Sequence, residues 1–189
     1  MRKVLLGLMV VGLASAACEK KGEEAKPVGK LEFSVDPDTL EVSPTEPGDY
    51  LVTVAGEEVG GADVTMDSVV VVVTFVDGSP VMVLGQNITE SLLTWRARSP
   101  EEGGPMTEML GEFWCFKAGE EKSFQLPVKV GTSLERPEDF EGLYFPTMYL
   151  QAAVAAGKPG FRVTLTYEAT DESGNPVVGT ITLYIVVVT

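Results

Sequence analysis

The chain has 189 residues, enough for one domain with appendages, and its 28 acidic residues against 14 basic ones give a net charge of −14. A field of that sign repels phosphate backbones and anionic membrane surfaces, which argues against a nucleic-acid partner. Histidine is absent, which removes the commonest general base and metal ligand, and two cysteines, Cys18 and Cys115, cannot build a disulfide-rich scaffold.

Residues 1–17 are basic at Arg2 and Lys3, apolar from Val4 to Leu13 and small from Ala14 to Ala17. That is the three-part pattern of a secretory signal peptide, to be set aside from the fold. Its removal leaves 12 basic against 28 acidic side chains, a net −16. Ser15-Ala16-Ala17 fits the small-residue site of ordinary signal cleavage. The run Leu13-Ala14-Ser15-Ala16-Ala17-Cys18 also resembles the processing site of bacterial lipoproteins, whose mature chain begins with a lipid-bearing cysteine. The resemblance implies lipidation at Cys18, a membrane partner through the N-terminal acyl chains, and a place in the bacterial cell envelope. Glu19 after the cysteine resembles members bound to the outer membrane, facing the periplasm or the surface. Residues 19–30, EKKGEEAKPVGK, are charged and lack aromatics, so 18–30 read as a lipidated cysteine and a flexible tether.

From Leu31 to residue 189 the chain reads as one domain of strands separated by Gly, Pro and Asp turns. Leu31, Phe33 and Val35 alternate with polar residues. Pro37, Pro44 and Pro47 limit Leu40 to Val42 to a short edge strand. Tyr50, Val52 and Val54 share one face of the next strand. Ser68 to Val76 follows, with five consecutive valines closed by Asp77-Gly78. β-Branched residues favour a pleated strand, and the lack of alternation predicts a central strand that wants cover on both faces. Pro80 to Leu84 is expected to pair back on it as a hairpin. Leu93, Trp95 and Ala97 mark another half-buried strand, and Phe113 to Phe116 a short aromatic one. Phe124, Leu126, Val128 and Val130 line one face of the strand after that. Thr147 to Ala156, with Pro146 suited to a first helical position and Gly157 and Pro159 as a stop, predicts one short helix in a crossover.

Val163, Leu165 and Tyr167, then Ile181, Leu183, Ile185 and Val187, alternate across two further strands, joined by the turn-rich ATDESGNPVVG. This final segment resembles the last hairpin of bacterial extracellular immunoglobulin-like modules of the hyalin-repeat type, with Asp171, Gly174 and Asn175 at the turn. Eight or nine short strands with regular turns predict an all-β, immunoglobulin-like β-sandwich.

The candidates for chemistry each have a plain structural explanation. Cys115 lies between Trp114 and Phe116 with no histidine to activate it, which reads as a buried structural thiol. Met106 and Met109, with Met66, Met82 and Met148, are candidates for a Cu(I) site, although gap-filling methionine is the commoner role. Asp171, Glu172 and Asn175 carry oxygens suited to Ca²⁺, but these residue types are ordinary turn formers. The pairs Glu57–Glu58, Glu101–Glu102 and Glu138–Asp139 are the stock from which a glycan hydrolase would draw two facing carboxylates; as a default they are solvated loops. Tyr144, Phe145, Pro146 and Tyr149 either bind a sugar or peptide or pack the crossover. Asn87-Ile88-Thr89 matches a glycosylation sequon, without weight in a bacterial chain. The sequence therefore reads as a non-catalytic binding or structural module without cofactor or metal, with an envelope protein or glycan as partner. The alternatives are a glycan hydrolase using paired carboxylates and an exported metal-handling protein using methionines.

Overall fold

The computed structural model describes residues 26–103, 105–131 and 142–188. Twelve strands are present among the described residues. They are β1 (Leu31–Asp36), β2 (Thr39–Val42), β3 (Gly48–Glu58), β4 (Val64–Phe75), β5 (Met82–Val83), β6 (Gln86–Asn87), β7 (Thr94–Ala97), β8 (Cys115–Phe116), β9 (Glu121–Gly131), β10 (Leu143–Pro146), β11 (Gly160–Asp171) and β12 (Pro176–Val187). Three α-helical segments join them, α1 (Thr89–Leu92), α2 (Pro105–Leu110) and α3 (Thr147–Ala155). One sheet has the order β1-β3-β9-β10, and the other β2-β12-β11-β4-β7, with β8 pairing the start of β4. The buried side chains of the two sheets form one hydrophobic cluster between them, so the protein is an all-β sandwich.

The orders β1-β3-β9 and β12-β11-β4-β7 follow strands A-B-E and G-F-C-C′ of an immunoglobulin sandwich. As expected from its prolines, β2 is a short edge strand; it runs parallel to β12, with Tyr184 opposite Thr39. The departure is β10, which follows β9 in sequence and lies parallel to it.

Alternation explains most of this. In β4 Val69, Val71, Val73 and Phe75 are buried in the core, whereas Val70, Val72 and Thr74 on the other face are half-buried. The expected cover on that second face is lateral rather than a further layer. Val70 sits between Arg96 and Thr166 on the flanking strands, and Val72 between Thr94 and Thr164.

Five expectations need correction. Residues 80–84 do not pair with β4: Met82 and Val83 pair with Asn87 and Gln86 in a separate small hairpin. Phe113 and Trp114 lie in a 3₁₀ turn, and only Cys115 and Phe116 extend into a strand. The helix at 147–155 is joined by two others, of four and six residues, too short to carry a readable period. Pro146 itself is extended and precedes α3, while Gly157, at φ 65, ends it. The last hairpin is longer than its alternation suggested. Pairing continues to Thr170 opposite Pro176, leaving only residues 172–175 as the turn.

Candidate functional site at the tether junction

The phase of β3 carries two residues past the apolar run. Val52 and Val54 point inward, so Gly56 and Glu58 do too. Gly56 leaves room for the Phe33 and Phe116 rings, whose atoms lie 2.5 and 3.0 Å from where a Cβ would stand. Glu58 is fully buried. Its Oε1 accepts hydrogen bonds from the backbone N–H groups of Lys30 at 3.1 Å, Gly60 at 2.8 Å and Gly61 at 3.1 Å. Oε2 accepts from Gly61 at 2.9 Å and Gly119 at 3.0 Å. Burial pushes this carboxyl up, and the N–H donors of Gly119, Lys30, Gly61 and Gly60 together outweigh it and hold it below the usual carboxylate range.

Asp171 closes β11 in the same region and is also buried. Its Oδ2 accepts from the Gly29 backbone N–H at 3.1 Å and the Asn175 amide at 2.9 Å, and its Oδ1 from Ser173 N–H at 2.9 Å and Asn175 N–H at 2.8 Å. The bonds from Asn175 chiefly lower its pKa to about 2, against burial and with help from Gly29 and Ser173.

Both carboxylates converge on the segment that leads into β1. Gly29 is tied to Asp171 and Lys30 to Glu58, Val59 N–H donates to the Lys30 carbonyl at 2.8 Å, and the buried Tyr167 hydroxyl donates to the Leu31 carbonyl at 3.3 Å. Gly29 and Gly60 are required by contact, since a Cβ at Gly60 would stand 1.9 Å from the Val28 carbonyl oxygen and one at Gly29 2.5 Å from a Val64 methyl. The last two residues of the expected tether are thus bonded to the sandwich. Chemically, carboxylate oxygens filled by N–H donors hold backbone; they are poorly placed to take a proton or a cation.

The other candidates disperse. Glu57 and Glu58 are adjacent on a strand and point to opposite sides, so they do not act as a pair. Glu57 lies outside, in register with Glu32 and Glu121. Glu101 is exposed, and Glu138, Asp139, Arg2, Lys3 and Cys18 lie outside the described residues. Asp171 serves its turn, while Glu172 is exposed. Met66 is buried, Met109 packs against the core, and Met82 and Met148 are exposed. Phe145 is buried with its ring tilted against Phe161, centroids 5.3 Å apart, while Tyr144, Pro146 and Tyr149 are half-buried, so the group packs the crossover more than it faces solvent. Thr89 of the sequon is buried, accepting from Val81 N–H at 2.8 Å and donating to the Val73 carbonyl at 3.2 Å.

Cys115 corrects the expectation of a fully buried thiol. It is half-buried, because Trp114 and Phe116 take the inward positions on either side. Its carbonyl accepts from Lys122 Nζ at 2.5 Å, a lysine in phase with the inward residues of β9 and lying 5.3 Å from the Phe116 ring centroid. An apolar cavity of about 40 Å³ lies between the sheets among Val35, Val54, Val71, Phe124 and Leu165. At a fraction of the roughly 150 Å³ that admits benzene, it is a packing gap rather than a ligand site.

Sequence reasoning missed Glu58 as a site residue. Its signal was present: it stands two residues after Gly56 in the β3 phase, and Gly60-Gly61 supply free N–H groups directly after it.

No family model matches the chain, and no curated protein matches it. Solved structures resemble it weakly. A protein designated ApaA from Bordetella pertussis aligns with 12% identity and a TM-score of 0.43 over 84% of this chain and 96% of that one. The sporulation control protein Spo0M of Bacillus subtilis aligns with 10% identity and a TM-score of 0.33, over 84% of this chain and 49% of that one. A CARDB domain from Pyrococcus furiosus, solved with di-metal ions, aligns with 13% identity and a TM-score of 0.30 over 86% and 97%. Likeness at this level assigns no family.

Proposed function

We propose that this chain is a non-catalytic module of the bacterial cell envelope, held at a membrane by acyl chains on Cys18 and presenting an immunoglobulin-like sandwich to an envelope protein or glycan. The observation that supports the reading is the junction. Two buried carboxylates, Glu58 and Asp171, spend their hydrogen-bonding capacity on the backbone of Gly29 and Lys30 and of their own turns. A domain hung from its N-terminus needs that connection fixed, whereas an enzyme would keep such carboxylates open to substrate.

Cys18→Ser tests the anchor. The wild-type protein is expected in the membrane fraction, with an intact mass exceeding residues 18–189 by its acyl groups, and the variant is expected to be soluble or unprocessed. An unmodified mass beginning at residue 18 would refute the lipoprotein reading.

A further inference from the structure

We propose that the end of the sandwich remote from the tether junction carries a second membrane-contact site, a lipid-penetrating tip centred on Leu84. β4 leaves the junction at Val64 and reaches Phe75 eleven residues later, roughly 36 Å away at strand rise. At that far end the β5–β6 hairpin turns through Leu84 and Gly85, both with positive φ, 50 and 79. A turn of that kind favours Asn-Gly, and a leucine there is strained. Leu84 is the sole non-glycine residue at positive φ among those described. It is also 94% exposed, more than any other large apolar side chain described. Backbone strain spent on holding an apolar side chain in water marks a functional tip.

Its surroundings suit lipid. In an otherwise strongly acidic chain, residues 78–89 and 143–157 contain no Asp, Glu, Lys or Arg. The two stretches meet at this end, where α3 packs beside β5. Met82, Met148 and Val154 add exposed apolar area on the same elements, and Leu92 adds more on the adjoining α1. Exposed Glu90 and the Asp77–Lys158 ion pair border the two stretches, while the hairpin tip itself carries no charge, as insertion into the interior of an uncharged bilayer requires. The acidic body disfavours an anionic one. The tip of a two-residue turn is narrow and convex, so a protein partner would need a matching pocket inside a much broader interface, and a bilayer needs neither. The site is independent of the acyl anchor.

The test uses the chain in a Cys18→Ser background, so that no acyl group contributes, with phosphatidylcholine vesicles as the probe. Leu84→Asn should lower the vesicle-bound fraction about tenfold, in line with losing one buried leucine. It should not lower Tm, because asparagine accepts positive φ. Val178→Asn, at an exposed valine beside the junction, should change nothing. With Cys115→Ser, a polarity-sensitive dye on Leu84→Cys should blue-shift when vesicles are added, and one on Val178→Cys should not. Equal binding by parent and Leu84→Asn, or an unshifted dye at 84, overturns the proposal. So does an envelope-protein crosslink lost in Leu84→Asn without any vesicle binding, which would assign the tip to a protein partner.

Discussion

At Asp171 one side chain closes a turn and holds the incoming chain, and its low pKa makes that work depend on pH. The folded carboxyl titrates near 2, while an unfolded aspartate titrates near 3.9. A depressed folded value means that the ionised form stabilises the fold above the unfolded pKa, and that this stabilisation is lost as pH falls through the folded one. Glu58 is shifted in the same direction and adds to the effect. Stability measured by denaturant should therefore be flat above about pH 5 and fall between about pH 4 and 2. Asp171→Asn should lower the plateau and flatten the fall, because the substituted amide cannot accept at both positions and does not titrate. An acid profile identical to wild type would show that Asp171 contributes nothing through its charge.

Among the elements, β4 lies inside its sheet between β11 and β7, and its two faces make unequal demands. Val71 points into the core beside the existing 40 Å³ gap, so Val71→Ala enlarges a void that its neighbours do not fill. The cost should be about 1–3 kcal/mol. Val72→Thr, one residue along and half-buried between Thr94 and Thr164, should stay within about 0.5 kcal/mol. Thermal or chemical unfolding of the two variants checks the contrast; equal losses would mean the outer face is as tightly packed as the inner. This period-two contrast is also what the sequence makes legible. Val69 to Val73 reads as strand by residue type alone, whereas Phe124 to Val130 and Ile181 to Val187 read by alternation, and there the inward set matches. What lies outside that signal depends on partners distant in the chain or on too few residues. The parallel pairings β2–β12 and β9–β10 are fixed by tertiary contact, α1 and α2 are too short to show a helical period, and the β5–β6 turn defies its local preference. Of the junction, the turn at Asp171, Gly174 and Asn175 was legible, and the burial of Glu58 was hidden by reading it with Glu57 as one solvated pair.

For the whole molecule, the polarity of the junction sets how the protein answers a pull. β1 runs from Leu31 to Asp36 directly away from the tether and lies antiparallel to β3 along its full length. Tension arriving through Gly29 acts along the axis of β1, across hydrogen bonds that stand perpendicular to it. The rungs of the ladder are then loaded together in shear rather than peeled one after another, and the bonds from Glu58, Asp171 and Tyr167 share the load at the first residues. In single-molecule pulling between residue 18 and residue 188, rupture should be a single high-force event. Tyr167→Phe, which removes the hydroxyl bonded to the Leu31 carbonyl, and Asp171→Asn should lower the peak without adding a step. Gradual low-force extension in the wild type would mean that the strand peels. In the envelope setting proposed above, a chain that meets its domain end-on in this way would turn mechanical stress into tension that the sheet resists with all its rungs at once.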